Sequence, residues 1–401
     1  MKILLFTADS RCFQYLLPVA KELQNRNHRY FFMATNSTQL IYPIKENLEQ
    51  FQIFTNEPSE DMRNPISSQS LNIQIPWIPD YVLLTRENWD PEQTIMREFQ
   101  ESFNCPVGLV EVNTHLINVI EAKMEMLSRN KYPQHNINVF FDQSQEAIEA
   151  RKESGWEYQN NSINVGNPIL DQVMEYPTDA FIEKYNIDKD KKQIIFYSLI
   201  NVSRNKSLEL LKNISEKAGD EYQIYYKPYP GEPWVEKYKD IFEPEFFLKN
   251  VTPIIDHIDI IGMQKLCDIH IGAISSVMSI PLYLKKQIVN INNVCDYLQK
   301  GNDLSVYKNE NKEGYSDGSA EFWMRVHNLE SFEDFVKLVD EDDLVKFEKR
   351  NKEFLELIKE TTHDYDEDLS FLNEEPKDSS KLLEKFDEFH DGKASHRIVD
   401  Y

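Results

Sequence analysis

A chain of 401 residues with 41% hydrophobic side chains has apolar material for two domains of roughly 150–200 residues. Its formal charge of −24 argues against nonspecific attraction to nucleic acid or anionic lipid. No apolar run reaches the roughly 18–20 residues that span a bilayer, and four distant cysteines (Cys12, Cys105, Cys267, Cys295) without a CxxC pair fit a reduced, cytoplasmic protein.

Lys2–Ala8 reads as a first strand, because polar and charged residues follow its short apolar run without a leader-cleavage pattern. Gln14–Asn25 predicts an amphipathic helix with Leu16, Leu17, Ala20 and Leu23 on one face. Tyr30–Thr35 and Asp80–Leu84 read as strands, and the Pro-, Ser-, Asn- and Gln-rich segment 56–79 between them as a long loop. Pro91–Phe103 predicts a helix, Val107–Glu111 a strand, Asn113–Ser128 a helix and Ile137–Phe141 a strand. Ser144 then caps a helix that carries Ile148. Strands alternating with helices imply a parallel, doubly wound sheet over residues 1–166.

A second α/β domain is expected over 167–330. Gln193–Ser198 is its first strand, Asn201–Asn205 a loop and Lys206–Lys217 a helix. The apolar runs YQIYY, CDIHI and QIVNI follow as buried parallel strands. Residues 302–318 read as irregular, and 330–338 and 344–358 as helical. The stretch 331–401 holds 22 Asp and Glu against 11 Lys and Arg. This acidic, helical C-terminal segment is a solvated surface with a loose tail, or a docking tail for a basic partner.

The chemistry concentrates between Tyr222 and Ile291. After CDIHI come Gly272, Ala273, Ile274, then Ser275 and Ser276, then a helix. Small and hydroxyl residues at a strand-to-helix turn present backbone N–H groups to an anion. Lys227 ends the strand before, in a loop stiffened by Pro228 and Pro230. A cation and a helix start at the carboxyl ends of neighbouring strands suggest a diphosphate site. Ser275 also has the chemistry of an ordinary cap, and Lys227 that of a surface lysine.

Three segments carry a family resemblance: VGNPILD (Val165–Asp171), KPYPGE (Lys227–Glu232) and IGAISSVMSIPLYLKKQIVNI (Ile271–Ile291). They resemble the nucleotide half of GT-B glycosyltransferases, the architecture of two facing Rossmann-like domains. They are most similar to the branch of CDP-glycerol polyol-phosphate transferases, polysialyltransferases and UDP-N-acetylglucosamine 2-epimerases. In this chain Tyr229 replaces the His of the family's Lys-Pro-His-Pro element, and Ser279, Ile280 and Pro281 stand where an acid usually follows the serines. The resemblance implies a donor domain at 167–330, an acceptor domain at 1–166 and final helices that cross back to the first domain. It implies a nucleotide-activated sugar as donor and substrate, with no cofactor, and a glycan, lipid or small-molecule acceptor.

Sugar transfer needs the leaving diphosphate neutralised and the acceptor hydroxyl deprotonated. Lys227, Gly272, Ser275 and Ser276 suit the first task, with Arg204 and His257 as further nucleotide contacts. His270 lies inside a buried strand pattern and reads as a core histidine. A base is expected from the first domain. Asp9 directly follows the first strand, beside Arg11, which suits an anionic acceptor; a helix-capping role fits Asp9 equally. Glu111 is the rival base, with His115 nearby for the acceptor. There is no GxxxxGK[ST], GxGxxG, GxSxG or HExxH, and no metal-ligand spacing, so no metal is expected. A polyol-phosphate transferase, a sugar-nucleotide epimerase and a catalytically silent binding protein remain alternatives.

Overall fold

The computed structural model describes residues 1–7, 12–35, 51–54, 77–85, 90–112, 137–153, 161–198, 204–228, 250–254, 260–295 and 341–401. Two compact units emerge. One takes in the described residues up to Met174 together with Glu384–Tyr401, and the other Glu175–Leu383.

The first unit is built on a parallel sheet of seven strands: β1 (Lys2–Thr7), β2 (Arg29–Thr35), β3 (Phe51–Phe54), β4 (Tyr81–Leu84), β5 (Val107–Val110), β6 (Val139–Asp142) and β7 (Ser162–Asn164). Their order is β3-β2-β1-β4-β5-β6-β7. Between β1 and β4 the winding reverses direction, which makes their carboxyl ends the unit's switch point. KILLFT and VFFD carry almost no alternation because helices cover both faces of such a sheet. Helices α1 (Phe13–Asn25), α2 (Asp90–Phe103) and α3 (Gln145–Glu153) are crossovers. Leu4, Phe6, Val82, Leu84 and Leu109 form one core with Ile95, Met96 and Phe99 of α2.

The second unit repeats this plan with six parallel strands: β8 (Lys192–Tyr197), β9 (Tyr222–Lys227), β10 (Val251–Pro253), β11 (Ile269–Gly272), β12 (Gln287–Asn290) and β13 (His363–Asp364). The order β10-β9-β8-β11-β12-β13 puts the switch point between β8 and β11. Helices α4 (Asp179–Lys184), α5 (Arg204–Lys217), α6 (Ile261–Leu266), α7 (Ser279–Tyr283), α8 (Asn292–Cys295) and α9 (Glu341–Thr361) accompany the sheet, with α10 (Ser380–Leu383) at its end. Leu210, Leu211 and Ile214 of α5 pack with Phe196, Tyr226, Ile271 and Val289, and Tyr365 and Phe371 join that core from the C-terminal stretch.

Strands β3, β7, β10 and β13 are additions to the sequence reading; each is an edge strand of two to four residues. Such strands lack the long apolar run that marks a central strand. The helix expected at 113–128, the loop at 56–79 up to residue 76, residues 201–203, the segment 302–318 and the helix at 330–338 lie outside the described residues, whereas Arg204 and Asn205, expected in the loop at 201–205, are the first residues of α5.

The C-terminal stretch divides between the units, and its last part is anchored by the VGNPILD segment. Asn167 accepts a hydrogen bond from Ile169 N–H at 3.3 Å and so caps a 3-10 turn, Pro168–Gln172. Asp171 accepts from Ala394 N–H at 3.0 Å and Ser395 N–H at 2.6 Å, which caps the last helix, α11 (Ala394–Asp400). Arg397 donates to the Val165 carbonyl at 3.0 Å and lies over the Phe389 ring. Gly166 has φ +86, and a Cβ there would stand 2.7 Å from an Asp387 carboxylate oxygen. Burial pushes the Asp387 carboxyl up to about 6 and raises that of Asp171 as well. Helix α11 packs on α1, where His396 Nδ1 meets Glu22 at 3.0 Å and Arg26 pairs with Asp400.

Candidate functional site

The second unit gathers the predicted nucleotide contacts along one edge. Tyr197 is the register partner of Lys227, and Gly272 that of Asn290. Phe196 pairs with Ile271, so Tyr197 and Gly272 also stand level. Lys227, Tyr197, Gly272 and Asn290 therefore form the last row of four adjacent strands at their carboxyl ends. Register partners in a sheet project to one face, so Lys227 shares a face with Tyr197 and with Met278, whose Cε would lie 2.9 Å from a Cβ on Gly272. Gly272 is thus a packing glycine that lets the turn after β11 fold over the strand end.

Lys227 is buried at 3% exposure rather than at the surface. Its Nζ donates to the Pro228 carbonyl at 3.3 Å, while its own carbonyl accepts from Ser198 N–H at 2.9 Å. Neighbouring strands are about 4.8 Å apart, so β9 and β11 lie about 10 Å from each other, with β8 between them. Arg204 opens α5 directly after the connection from β8. The cation, the start of α5 and the serine turn thus flank the switch point from three adjacent strands.

The turn after the serines corrects one expectation. Ser276–Met278 is a single 3-10 turn, and α7 behind it has only five residues. A long helix dipole is therefore not what an anion would meet there; local N–H groups and hydroxyls are. Pro281 removes a donor and shortens the helical run. Ser275 is extended (φ −150, ψ 179) and half-buried, and its hydroxyl makes no capping hydrogen bond. Ser276 is exposed, and its carbonyl accepts from the Ser279 hydroxyl at 2.8 Å.

His270 is a core histidine. Its ring is fully buried, with Nδ1 2.8 Å from the Tyr197 hydroxyl and Nε2 3.3 Å from the Cys267 carbonyl. Nε2 donates to the carbonyl, so Nδ1 accepts from Tyr197. Burial drives its pKa down to about 3, with a smaller push from Lys286. Gln264 hydrogen bonds the Tyr197 side chain and donates to the Val277 carbonyl at 2.7 Å. This buried network ties the ends of β8 and β11 to the serine turn.

In the first unit, Glu111 directly follows β5 and is 3% exposed. Its N–H donates to Phe141 at 3.0 Å, and its carbonyl accepts from the Gln143 amide at 2.9 Å. The sequence reading passed over Asp142, which closes β6 fully buried, and the pair Thr7 and Thr85 at the ends of β1 and β4. Their hydroxyls meet at 2.9 Å at the switch point. An acid closing the apolar run VFF was the available signal for Asp142, the same one applied to Asp9. Asp9, Arg11, His115 and His257 lie outside the described residues. Among the described residues no three His, Cys, Asp or Glu side chains group as a metal site, and no helix is long and apolar enough to cross a membrane.

The sequence matches no protein-family model and no curated protein. The structure is similar to solved ones. UDP-GlcNAc 2-epimerase from Neisseria meningitidis, bound to UDP-GlcNAc, aligns over 100% of this chain and 99% of its own at 14% identity, with a TM-score of 0.56. The wall teichoic acid polymerase TagF, in a form soaked with CDPG, aligns over 100% of this chain and 87% of its own at 14% identity and a TM-score of 0.52. The S. aureus MnaA–UDP structure covers 91% of this chain and 100% of its own at 15% identity and a TM-score of 0.51. The fold is accordingly the α/β GT-B fold with two Rossmann-like units, and the similar structures belong to the branch that the three sequence segments resemble.

Proposed function

We propose that the chain is a metal-independent GT-B glycosyltransferase that moves a sugar from a nucleotide-activated donor to an acceptor hydroxyl. The observation that carries this reading is the edge of the second unit. A buried lysine, the start of α5 and a turn with an uncapped serine hydroxyl flank one switch point. Lys227 and Arg204 offset charge that builds on the leaving diphosphate, and the serine turn supplies neutral donors. The acceptor hydroxyl gives its proton to Asp9 or Glu111 of the first unit. No cofactor is needed, because the nucleotide sugar is itself the substrate.

Transfer of a polyol phosphate from a CDP-polyol is the second reading, supported by the likeness to TagF over the whole of this chain, an extent that the likeness to the N. meningitidis epimerase shares. Ser279, Ile280 and Pro281 in place of an acid favour a third, a nucleotide-sugar binder without turnover. A thermal-shift panel of UDP- and CDP-linked sugars and polyols, followed by product analysis, separates them. Stabilisation by UDP-sugars with transfer to an added acceptor supports the first reading, and selective stabilisation by CDP-polyols the second. Turnover without any acceptor points to epimerisation or hydrolysis. Binding without turnover supports the third reading, and no stabilisation by any of them overturns the site.

A further inference from the structure

Strands β11 and β12 leave the sheet side by side. Ile291 N–H donates to the Gly272 carbonyl at 3.2 Å, so the two chains remain joined one residue beyond β12. Asn292 comes next and opens α8, one residue beyond that contact with Gly272. Asparagines around it are well used. Asn290 donates to Thr362 Oγ1 at 2.9 Å, to the His363 carbonyl at 2.9 Å and to Asp364 Oδ1 at 2.8 Å, and Asn293 donates to the Tyr365 carbonyl at 2.7 Å. Asn292 differs. It is 7% exposed, and among the described residues neither its Nδ2 nor its Oδ1, both closed to solvent, has a hydrogen-bond partner. A buried carboxamide left unsatisfied opposes folding, and such groups are rare in native structures unless something else meets them.

We infer that Asn292 binds a hydroxyl group of the donor substrate beside the diphosphate turn. The inference rests on the nucleotide-binding reading of that edge. The carboxamide narrows the chemistry. Oδ1 needs a donor and Nδ2 an acceptor. Diphosphate oxygens at neutral pH carry no proton to give to Oδ1, whereas a hydroxyl donates and accepts. The hydroxyl belongs either to the ribose or to the transferred sugar or polyol.

The test uses the full chain with Asn292→Leu, which keeps the branched side chain of four heavy atoms and removes both polar atoms. Calorimetric titration with UDP, CDP, their 2′-deoxy forms, UDP-GlcNAc and CDP-glycerol is paired with unfolding of the unliganded protein. The expected result is an unliganded Tm equal to or above wild type, with affinity weaker by about tenfold, the scale of one or two lost hydrogen bonds. A ribose contact weakens the nucleoside diphosphate as much as its conjugate, and the 2′-deoxy form is then bound equally by both proteins if the contact is the 2′-hydroxyl and weakened in the variant as well if it is the 3′-hydroxyl. A sugar or polyol contact weakens only the conjugate. Unchanged affinity for every ligand that wild type binds overturns the inference alone, whatever the Tm. Binding of none of these ligands by wild type overturns the nucleotide reading and this inference together. If the leucine variant does not fold, Asn292→Ala is titrated against the same criteria.

Discussion

Lys227 stands at the end of a strand and almost out of solvent, a place where a cation favours contact with an anion. Lys227→Ala should weaken nucleotide binding by about 1.5–3 kcal/mol, the range of a charge-assisted hydrogen bond, and Ser275→Ala by about 1 kcal/mol. Titration calorimetry with the best ligand of the panel checks the order, and wild-type affinity in both variants would move the diphosphate elsewhere. For the base, Asp9→Asn should keep donor affinity and lose turnover about a hundredfold if Asp9 takes the proton. Normal turnover in Asp9→Asn with a dead Glu111→Gln assigns the role to Glu111, and activity in both variants removes the base from this pair. His270 makes a pH prediction. Its folded pKa, about 3, lies below the ordinary value of 6.5. The unfolded chain therefore binds the proton first, and stability present above pH 6.5 is lost progressively as pH falls toward 3. His270→Asn should flatten that part of the stability profile, as read by urea titration across pH; an unchanged slope would show that other groups dominate. The neutral core role of His270 was legible from its place in an apolar strand. The burial of Lys227 was not, because a residue at a strand end in a polar loop carries no sign of what folds over it.

Short elements depend on single close contacts. In α6, Gly262 lies against Phe181 of α4, and a Cβ at this glycine would stand 2.3 Å from the ring. Gly262→Ala should therefore destabilise the second unit by about 1–3 kcal/mol through overpacking, and Gly262→Ala with Phe181→Leu should recover part of that. Chemical denaturation of both variants decides, and a neutral single variant would show that the ring moves aside freely. The crossovers α1, α2 and α5 were legible because each carries a full apolar stripe over 13 or 14 residues. The 3-10 turn at Ser276 was not, since the same small residues suit either helix type. Edge strands β7, β10 and β13 hide for another reason: three half-buried residues in β7 and β10, and one buried and one exposed residue in β13, have no period to read.

At the scale of the whole molecule, Glu384–Tyr401 belongs to the first unit although it follows the second in sequence. Ser144 donates to the Lys385 carbonyl at 3.2 Å, Asn164 to Glu388 at 2.5 Å, and Asp171 caps α11. Deleting 384–401 should cost hydrogen-exchange protection in 1–174 and leave 175–383 close to wild type. Asp171→Ala should give a weaker version of the same pattern, near the 1–2 kcal/mol of a lost cap. Loss spread evenly over both units would contradict the assignment.

The sequence by itself determined the α/β class, the parallel central strands, the doubling of the plan and the row of candidate residues after YQIYYK and CDIHIG. Those properties follow from local pattern: a buried parallel strand must be apolar throughout, and its carboxyl end is where polar chemistry can begin. Tertiary structure alone decided the rest. It fixed which strand ends share a row, the closing of Met278 over Gly272, the burial of Lys227 and the isolation of the Asn292 carboxamide. It also gave VGNPILD its part in anchoring the C-terminal helix. Each of these depends on contacts between residues from about 6 to more than 220 positions apart, and pairing at such distances is set by how whole elements pack, which no window of sequence contains.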